Sequence, residues 1–304
     1  MSLARAHRYV VLDVFTDVPL QGNPLAVFPD GAEVPERHMQ ALARELNLSE
    51  TVFVLGAERG GDARIRIFTP AVELPFAGHP VLGTAILLGR ERGLGAVTLE
   101  TGAGLVPVAL AHGGEGDERP VGHGTMTQPL PSWRRYEREA ELLGALAVHR
   151  SGLPVELYDN GPRFIYVELE DEQAVATLAP DMRALSELGP VGIVCFAGAA
   201  SHWKARMFAP GIGVSEDPAT GSAAGPLAVH LARHGRIAYG DEIEIRQGAE
   251  LARPSLLRAR VFSLRGRCGG GERVERVEVG GAAVIVARGE FQLAIIDDAS
   301  GTTV

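Results

Sequence analysis

Three ionisable side chains stand on short polar stretches, two of which carry a glycine. They are Glu50 in Leu46-Asn47-Leu48-Ser49-Glu50-Thr51, His79 in Ala77-Gly78-His79-Pro80, and Asp217 in Glu216-Asp217-Pro218-Ala219-Thr220-Gly221-Ser222. A carboxylate and an imidazole are the usual groups for moving a proton at neutral pH, once burial or a neighbour lifts the carboxylate from about 4.3 towards the working range. Gly78 and Gly221 each open an apolar run that reads as a helix, and Ser222 adds a hydroxyl. The first amides of a helix lack intrahelical acceptors and stand at the positive end of its dipole, so two such starts suit a carboxylate or phosphate. Glycine lets the backbone come close to such a ligand. Singly, Glu50 reads as a solvated turn residue, His79 as a helix cap and Asp217 as a turn starter before Pro218. Together, on matching loops, they point to proton transfer on a small anion.

The loops match because the chain says nearly the same thing twice. Arg64-Ile65-Arg66-Ile67-Phe68-Thr69-Pro70 resembles Lys204-Ala205-Arg206-Met207-Phe208-Ala209-Pro210, and each runs through an acidic loop and a glycine into a helix. Beyond the helices, Val97-Thr98-Leu99-Glu100-Thr101-Gly102 answers to Ile243-Glu244-Ile245-Arg246-Gln247-Gly248. A unit this long exceeds solenoid periods of roughly 20 to 50 residues, so two similar α/β domains are expected, with the site in the cleft between them.

The elements that must hold the loops can be read from pattern. Arg8–Phe15 and Leu25–Phe28 are strands around the turn Gln21–Pro24. Met39, Leu42, Ala43 and Leu46 fall at helical spacing, with Asn47 as a left-handed stop before Glu50 and a strand at Thr51–Leu55. Helices are also expected from Pro80 to Arg90, from Trp133 to Ala147 and from Asp181 to Leu188. Further strands are expected at Leu105–Leu110, 163–169, 191–196, 256–263, 273–279 and 282–287. Ala111–Glu118 reads as a turn or loop and Arg265–Gly271 as a hairpin tip. One prominent helix per half among many strands implies α+β sheets curled around a central helix rather than a doubly wound nucleotide fold. The domain change is placed near Gln128–Ser132, giving units 1–128 and 129–304, with the end of the chain, about 290–304, a possible strand of the first.

The chain has 304 residues and a formal charge of -9, so it has no basic field for nucleic acid or an anionic membrane. Its two cysteines, Cys195 in an apolar strand and Cys268 in a glycine-rich turn, argue for a reducing compartment. No signal peptide or apolar run of membrane length is read, and a cytoplasmic location is expected. Gly221-Ser222-Ala223-Ala224-Gly225 lacks the G-x-S-x-G spacing of a serine hydrolase, and the usual nucleotide loops are missing. The nine histidines are read as giving no H-x-x-x-H or H-E-x-x-H pattern with acidic partners, so neither a metal nor another cofactor is expected. Lys204 reads as an edge residue rather than a Schiff base.

Five ordered motifs resemble the phenazine-biosynthesis PhzF-like family: Gly22-Asn23-Pro24-Leu25-Ala26-Val27, the Asn-Leu-Ser-Glu-Thr run at 47–51, Phe68-Thr69-Pro70 with Gly78-His79-Pro80, 216–223, and Gln247-Gly248 through Arg253-Pro254-Ser255. The resemblance implies a diaminopimelate-epimerase-like fold with pseudo-twofold domains, and a homodimer. It implies that Glu50 is the acid/base, that His79, Asp217 and Ser222 bind substrate and assist, and that the activity is a cofactor-free isomerisation of the dihydro-hydroxyanthranilate type. The expected mechanism has Glu50 removing and returning a proton while the amides after Gly78 and Gly221 hold the substrate carboxylate. Related epimerases carry cysteines where this chain has Ala77 and Ala223, so thiol-based racemisation is disfavoured. Two alternatives stay open: an epimerase with Glu50 and Asp217 as opposed bases, and a ligand-binding protein without turnover.

Overall fold

The computed structural model describes residues 4–111, 121–264 and 273–294. The first stretch of elements is β1 (Ala4–Val14), β2 (Asn23–Phe28), α1 (Glu36–Leu46), β3 (Glu50–Leu55), β4 (Ala63–Phe68), β5 (Glu73–Leu74), α2 (Gly78–Arg92), β6 (Ala96–Thr101), β7 (Gly104–Ala111) and β8 (Val121–Gln128). The chain continues through β9 (Ser132–Arg135), α3 (Glu139–Leu146), β10 (Glu156–Asp159), β11 (Arg163–Glu168), α4 (Glu172–Ala176), α5 (Met182–Ser186), β12 (Gly192–Ala199) and β13 (His202–Ala209). It ends with β14 (Val214–Asp217), α6 (Gly221–Arg233), β15 (Glu242–Gln247), β16 (Ser255–Leu264) and β17 (Arg273–Ala294).

The ladders form a sheet-dominated, barrel-like architecture with few helices. Pairing runs β1–β2–β3–β4–β6–β7–β8–β17 and returns to β1, with only β2–β3 and β4–β6 parallel. A second circuit runs β9–β10–β11–β12–β13–β15–β16–β17, with only β11–β12 and β13–β15 parallel. It closes where β17 pairs with β8, the strand leading into β9. The parallel pairs fall at the same steps of both circuits, which is the structural form of the repeat read between 64–70 and 204–210. β17 serves both, pairing with β16 through 273–280 and with β1 through 283–294.

A helix inside each circuit fills it. Every residue from Gly78 to Gly89 of α2 and from Gly221 to Ala232 of α6 is buried, the mark of a helix with neighbours all round. Both helices belong to one apolar core with the inner faces of the strands. Outside the sheets, Met39, Leu42 and Ala43 of α1 pack on Phe28, Phe53 and Phe68, and α3, α4 and α5 cover Ile165, Ile193 and Phe208.

Several local expectations need correction. Trp133–Arg135 is strand rather than helix, because it pairs with β10 and this tertiary contact overrides helix propensity; the helix begins only at Glu139. Val214–Asp217, read as loop, pairs with β13. Gly280-Gly281, read as a break between two strands, lies inside β17: a Cβ on Gly281 would sit 2.5 Å from the Phe15 ring, so glycine marks a close approach rather than a turn. The loop expected at Ala111–Glu118 falls beyond Ala111 outside the described residues, as do the hairpin tip at 265–271, Cys268, and the end of the chain past 294.

One tie sets where the β1–β2 hairpin sits. Arg253, before β16, donates to the Gly22 and Gln21 carbonyl oxygens at 2.7 Å each and to the buried Asp13 carboxylate at 2.5 Å. Arg253→Ala leaves Asp13 Oδ1 without its cation, the Leu20 N–H remaining on Oδ2, so a loss of about 1–3 kcal/mol is expected, read as a lower urea midpoint with an unchanged slope.

Candidate active site

Glu50 is aimed by the turn before it. Asn47 ends α1 in the left-handed conformation, φ 50°, with its N–H on the Ala43 carbonyl, and three residues later Glu50 opens β3 beside Leu25 of β2. Its side chain is 15% exposed, and Oε2 lies 3.3 Å from Nε2 of His79. Neither of these two atoms has a hydrogen-bond partner, so they face each other as an open pair.

The tautomer of His79 follows from its surroundings. The ring bonds the backbone of Pro24, which has no N–H, so the ring must donate to the carbonyl oxygen. Nε2 is unpartnered, so the donor is Nδ1 and the bare lone pair of Nε2 points at Glu50. Burial pushes the imidazole down to about 3, and it stays neutral across any working pH.

Asp217, the last residue of β14, accepts at both oxygens: from Asn23 Nδ2 at 2.8 Å on Oδ1 and from Thr220 Oγ1 at 2.6 Å on Oδ2. Burial lifts it to about 6, the two hydrogen bonds pull it back, and Glu216 adds repulsion. Burial also holds Glu50 well above the usual carboxylate range, with the charge of Asp217 adding to it. The charge of each of these two carboxylates opposes ionisation of the other.

The starts of α2 and α6 meet beside these groups. A Cβ on Gly78 would lie 2.4 Å from the Ser222 nitrogen, and one on Gly221 would lie 2.7 Å from the Phe15 ring. The first amides, at Gly78–His79 and Gly221–Ser222, precede the first bonds of each helix, Val81 N to Ala77 O and Ala223 N to Thr220 O. Two positive helix ends therefore converge where an anion would lodge. Glu50, His79, Asp217, Gly78, Gly221 and Ser222 thus occupy one locality. Ala77 and Ala223 are buried at the two helix starts and bring no ionisable group. Cys195 is buried in β12, with its thiol pushed up to about 12 by burial, and belongs to the outer core.

Sequence reasoning overlooked the amides that hold this site. Gln247 donates to the Asp217 carbonyl at 2.8 Å and to Thr220 Oγ1 at 3.0 Å. Gln128, Asn160 and Tyr166 donate to the carbonyls of Gly221, Ser222 and Ala223 at 2.8, 3.0 and 2.8 Å. Asn23, Thr220 and Gln247 lie within the motifs that carry the family resemblance, where only Asn23 reads as anything more, a turn residue. Gln128 was read only as a boundary, and Asn160 and Tyr166 had no signal of their own.

The expectation of no metal-like constellation also needs correction. His230 of α6 and His234, the residue that ends it, are four apart, and His230 Nδ1 and His234 Nε2 lie 3.2 and 3.1 Å from Oε2 of Glu156 on β10. Glu156 is distant in sequence, so the histidine spacing showed no acidic partner. Arg233 NH1 sits on the same oxygen at 2.6 Å, so a fixed cation already neutralises the carboxylate. Burial opposes its ionisation, but the bonds from His230, Arg233 and His234 hold it well below the usual range. The cluster is nine residues along α6 from Gly221, roughly 14 Å away, and has no part in the site above. Lys204 pairs with Glu250 at 2.6 Å, as befits a structural lysine.

The family profile described as phenazine biosynthesis-like protein matches residues 12–289. The chain belongs to the PhzF family. A trans-2,3-dihydro-3-hydroxyanthranilate isomerase of Pseudomonas aeruginosa is 53% identical over 287 residues, covering 94% of this chain and all of that one. Among solved structures, a PhzF-family phenazine biosynthesis protein of Bacillus anthracis superposes with a TM-score of 0.80 at 25% identity, covering 94% and 99% of the two chains. A hydroxyproline epimerase of Agrobacterium vitis, at 15% identity and a TM-score of 0.65 over 100% and 96% of the chains, shares the fold alone. This PhzF-family chain has no described helix long and apolar enough to cross a membrane.

Proposed function

We propose that this PhzF-family isomerase acts without a cofactor on trans-2,3-dihydro-3-hydroxyanthranilate or a close analogue, with Glu50 as the single group that takes and returns the proton. The observation that carries the reading is the open Glu50–His79 pair, buried beside Asp217 where two helix starts converge. The substrate carboxylate lies on the Gly78–His79 and Gly221–Ser222 amides. Its amino group, on a saturated ring carbon and protonated at neutral pH, lies against Asp217. That charge offsets the repulsion between the carboxylates and lets Glu50 release its own proton to solvent on binding. Glu50 then takes a proton from one ring carbon, negative charge spreads towards the substrate carboxylate and its amides, and the proton returns to another carbon. The proton count closes, and neither oxidant nor reductant enters. Neutral His79 holds the Glu50 acid through Nε2 between the two transfers.

The epimerase alternative needs Asp217 as a second base. Both its oxygens already take hydrogen bonds, which fits a charge that orients rather than one that strips a carbon. Incubating the protein with the dihydro-hydroxyanthranilate in D2O tests the reading: deuterium at a new ring carbon with a changed ultraviolet spectrum is expected. Exchange with inversion and no shift of double bonds would reject it for the epimerase, and binding without exchange would reject it for a non-catalytic protein.

A pH dependence follows. Asp217 is raised to about 6, so below that value it is protonated and cannot hold the ammonium group. We expect kcat/KM to rise through pH about 6 and activity to be lost on the acid side, checked by initial rates across pH 4.5–8 at constant ionic strength.

The matching order of parallel ladders supports a division into two like domains, 1–128 and 129–304, related by a pseudo-twofold, with 283–294 completing the first. A homodimer in the cytoplasm, implied by the family resemblance, completes the proposal and is tested by sedimentation.

A further inference from the structure

The Asp217 side chain is held from both circuits of strands, at Oδ2 by Thr220 of its own and at Oδ1 by Asn23 of the other. Asn23 opens β2 in the first circuit, is fully buried, and directs one amide nitrogen at three groups: Asp217 Oδ1 at 2.8 Å, the Ala219 carbonyl at 2.9 Å, and His79 Nδ1 at 3.3 Å. An amide nitrogen has two hydrogens, and the two shorter contacts use both. The His79 Nδ1–H goes to Pro24, the next residue along, so Asn23 and Pro24 together fix one acid and the imidazole from a single corner of the β1–β2 hairpin. Arg253 pins that corner through the Gly22 carbonyl. The related corner of the second circuit carries Asn160, which donates to the Ser222 carbonyl, a group that does not titrate.

We propose that Asn23 is the positioning residue of this site: it orients the Asp217 carboxylate and favours its charged form from across the two circuits, so that Asp217 meets the substrate as a fixed anion. The inference rests on the functional reading above but is measured separately from it. The groups around Asp217 are Glu50 from β3, Glu216 beside it in β14, Asn23 from β2, Thr220 before α6, and Gln247 from β15 on its backbone carbonyl, while neutral His79 of α2 touches Asn23. Arg206 is engaged with Glu216 at 2.8 Å. Of these, Asn23 and Thr220 donate to the carboxylate itself, and only Asn23 comes from the first circuit.

The test is Asn23→Ala beside Asn160→Ala. Both remove a buried asparagine and a hydrogen bond at the α6 start, so both are expected to lower stability and kcat. Only Asn23→Ala is expected to move the acid limb of kcat/KM, upward by about one pH unit, since a hydrogen bond to a charged group is worth about that much. Asn23→Ser, which keeps one small donor, is expected to lie between wild type and Asn23→Ala. A 13C titration of the Asp217 carboxylate in the substrate-free protein, with Asn23→Ser as the variant should Asn23→Ala not fold, is expected to show the same upward shift. An unmoved limb, or an unmoved carboxyl titration, with both asparagine variants equally impaired, overturns the role of Asn23. Wild-type protein that never exchanges deuterium into the dihydro-hydroxyanthranilate sinks the functional reading instead, and the carboxyl titration still decides Asn23.

Discussion

Glu50→Gln is expected to lower kcat by about 10²–10⁴-fold, the range spanned by loss of a positioned general acid/base, and to abolish deuterium uptake from solvent. The substitution keeps the side chain's length and removes only its capacity to carry the proton. KM is expected to stay within a few-fold, because the amides of the helix starts and Asp217 are untouched. The fold is expected to hold or gain slightly: a carboxyl group raised by burial and by a neighbouring charge is an unfavourable guest, and a neutral amide facing Nε2 of His79 relieves it. Thermal melting and single-turnover deuterium exchange check the two halves of this expectation. A Glu50→Gln protein with more than a tenth of wild-type turnover rejects Glu50 as the proton carrier.

Gly78→Ala is expected to have the second-largest effect. The added methyl would meet the Ser222 nitrogen at 2.4 Å and the Gly221 carbonyl carbon at 2.6 Å, and both are backbone atoms in a buried helix start that cannot swing aside. The two helices must separate, costing about 1–3 kcal/mol of stability as an overpacked contact. A displacement on the order of 1 Å between reacting groups costs about 10²-fold in rate, so kcat/KM is expected to fall at least that far. Gly144→Ala, in α3 with open space around it, is the comparison: no loss of activity and a small gain in stability are expected. Equal activity in the two variants would remove the meeting of helix starts from the mechanism.

Much of the frame was legible because it rests on local rules. Asn47 after a helical run announces a left-handed stop, and the stop is what delivers Glu50 to the head of a strand. The resemblance of 64–70 to 204–210 announces a repeat, and the β4–β6 and β13–β15 ladders carry it out. What escaped was whatever depends on contacts between distant segments. Trp133 looks helical until β10 arrives beside it. Gly280-Gly281 looks like a turn until Phe15, itself held at φ 64°, lays its ring against it. Asn23 looks like turn material, since nothing nearby in the chain reveals that its amide reaches a carboxylate 194 residues away.

The long strand β17 has a consequence for how the molecule can be divided. A polypeptide cut at the midpoint keeps α2 and most of its surrounding wall, yet lacks the slat that closes β8 against β1. Two raw hydrogen-bonding edges would then face water, each ready to recruit a foreign strand. Each circuit thus draws its closing strand from the far end of the chain, and its wall is complete only when the whole polypeptide is present.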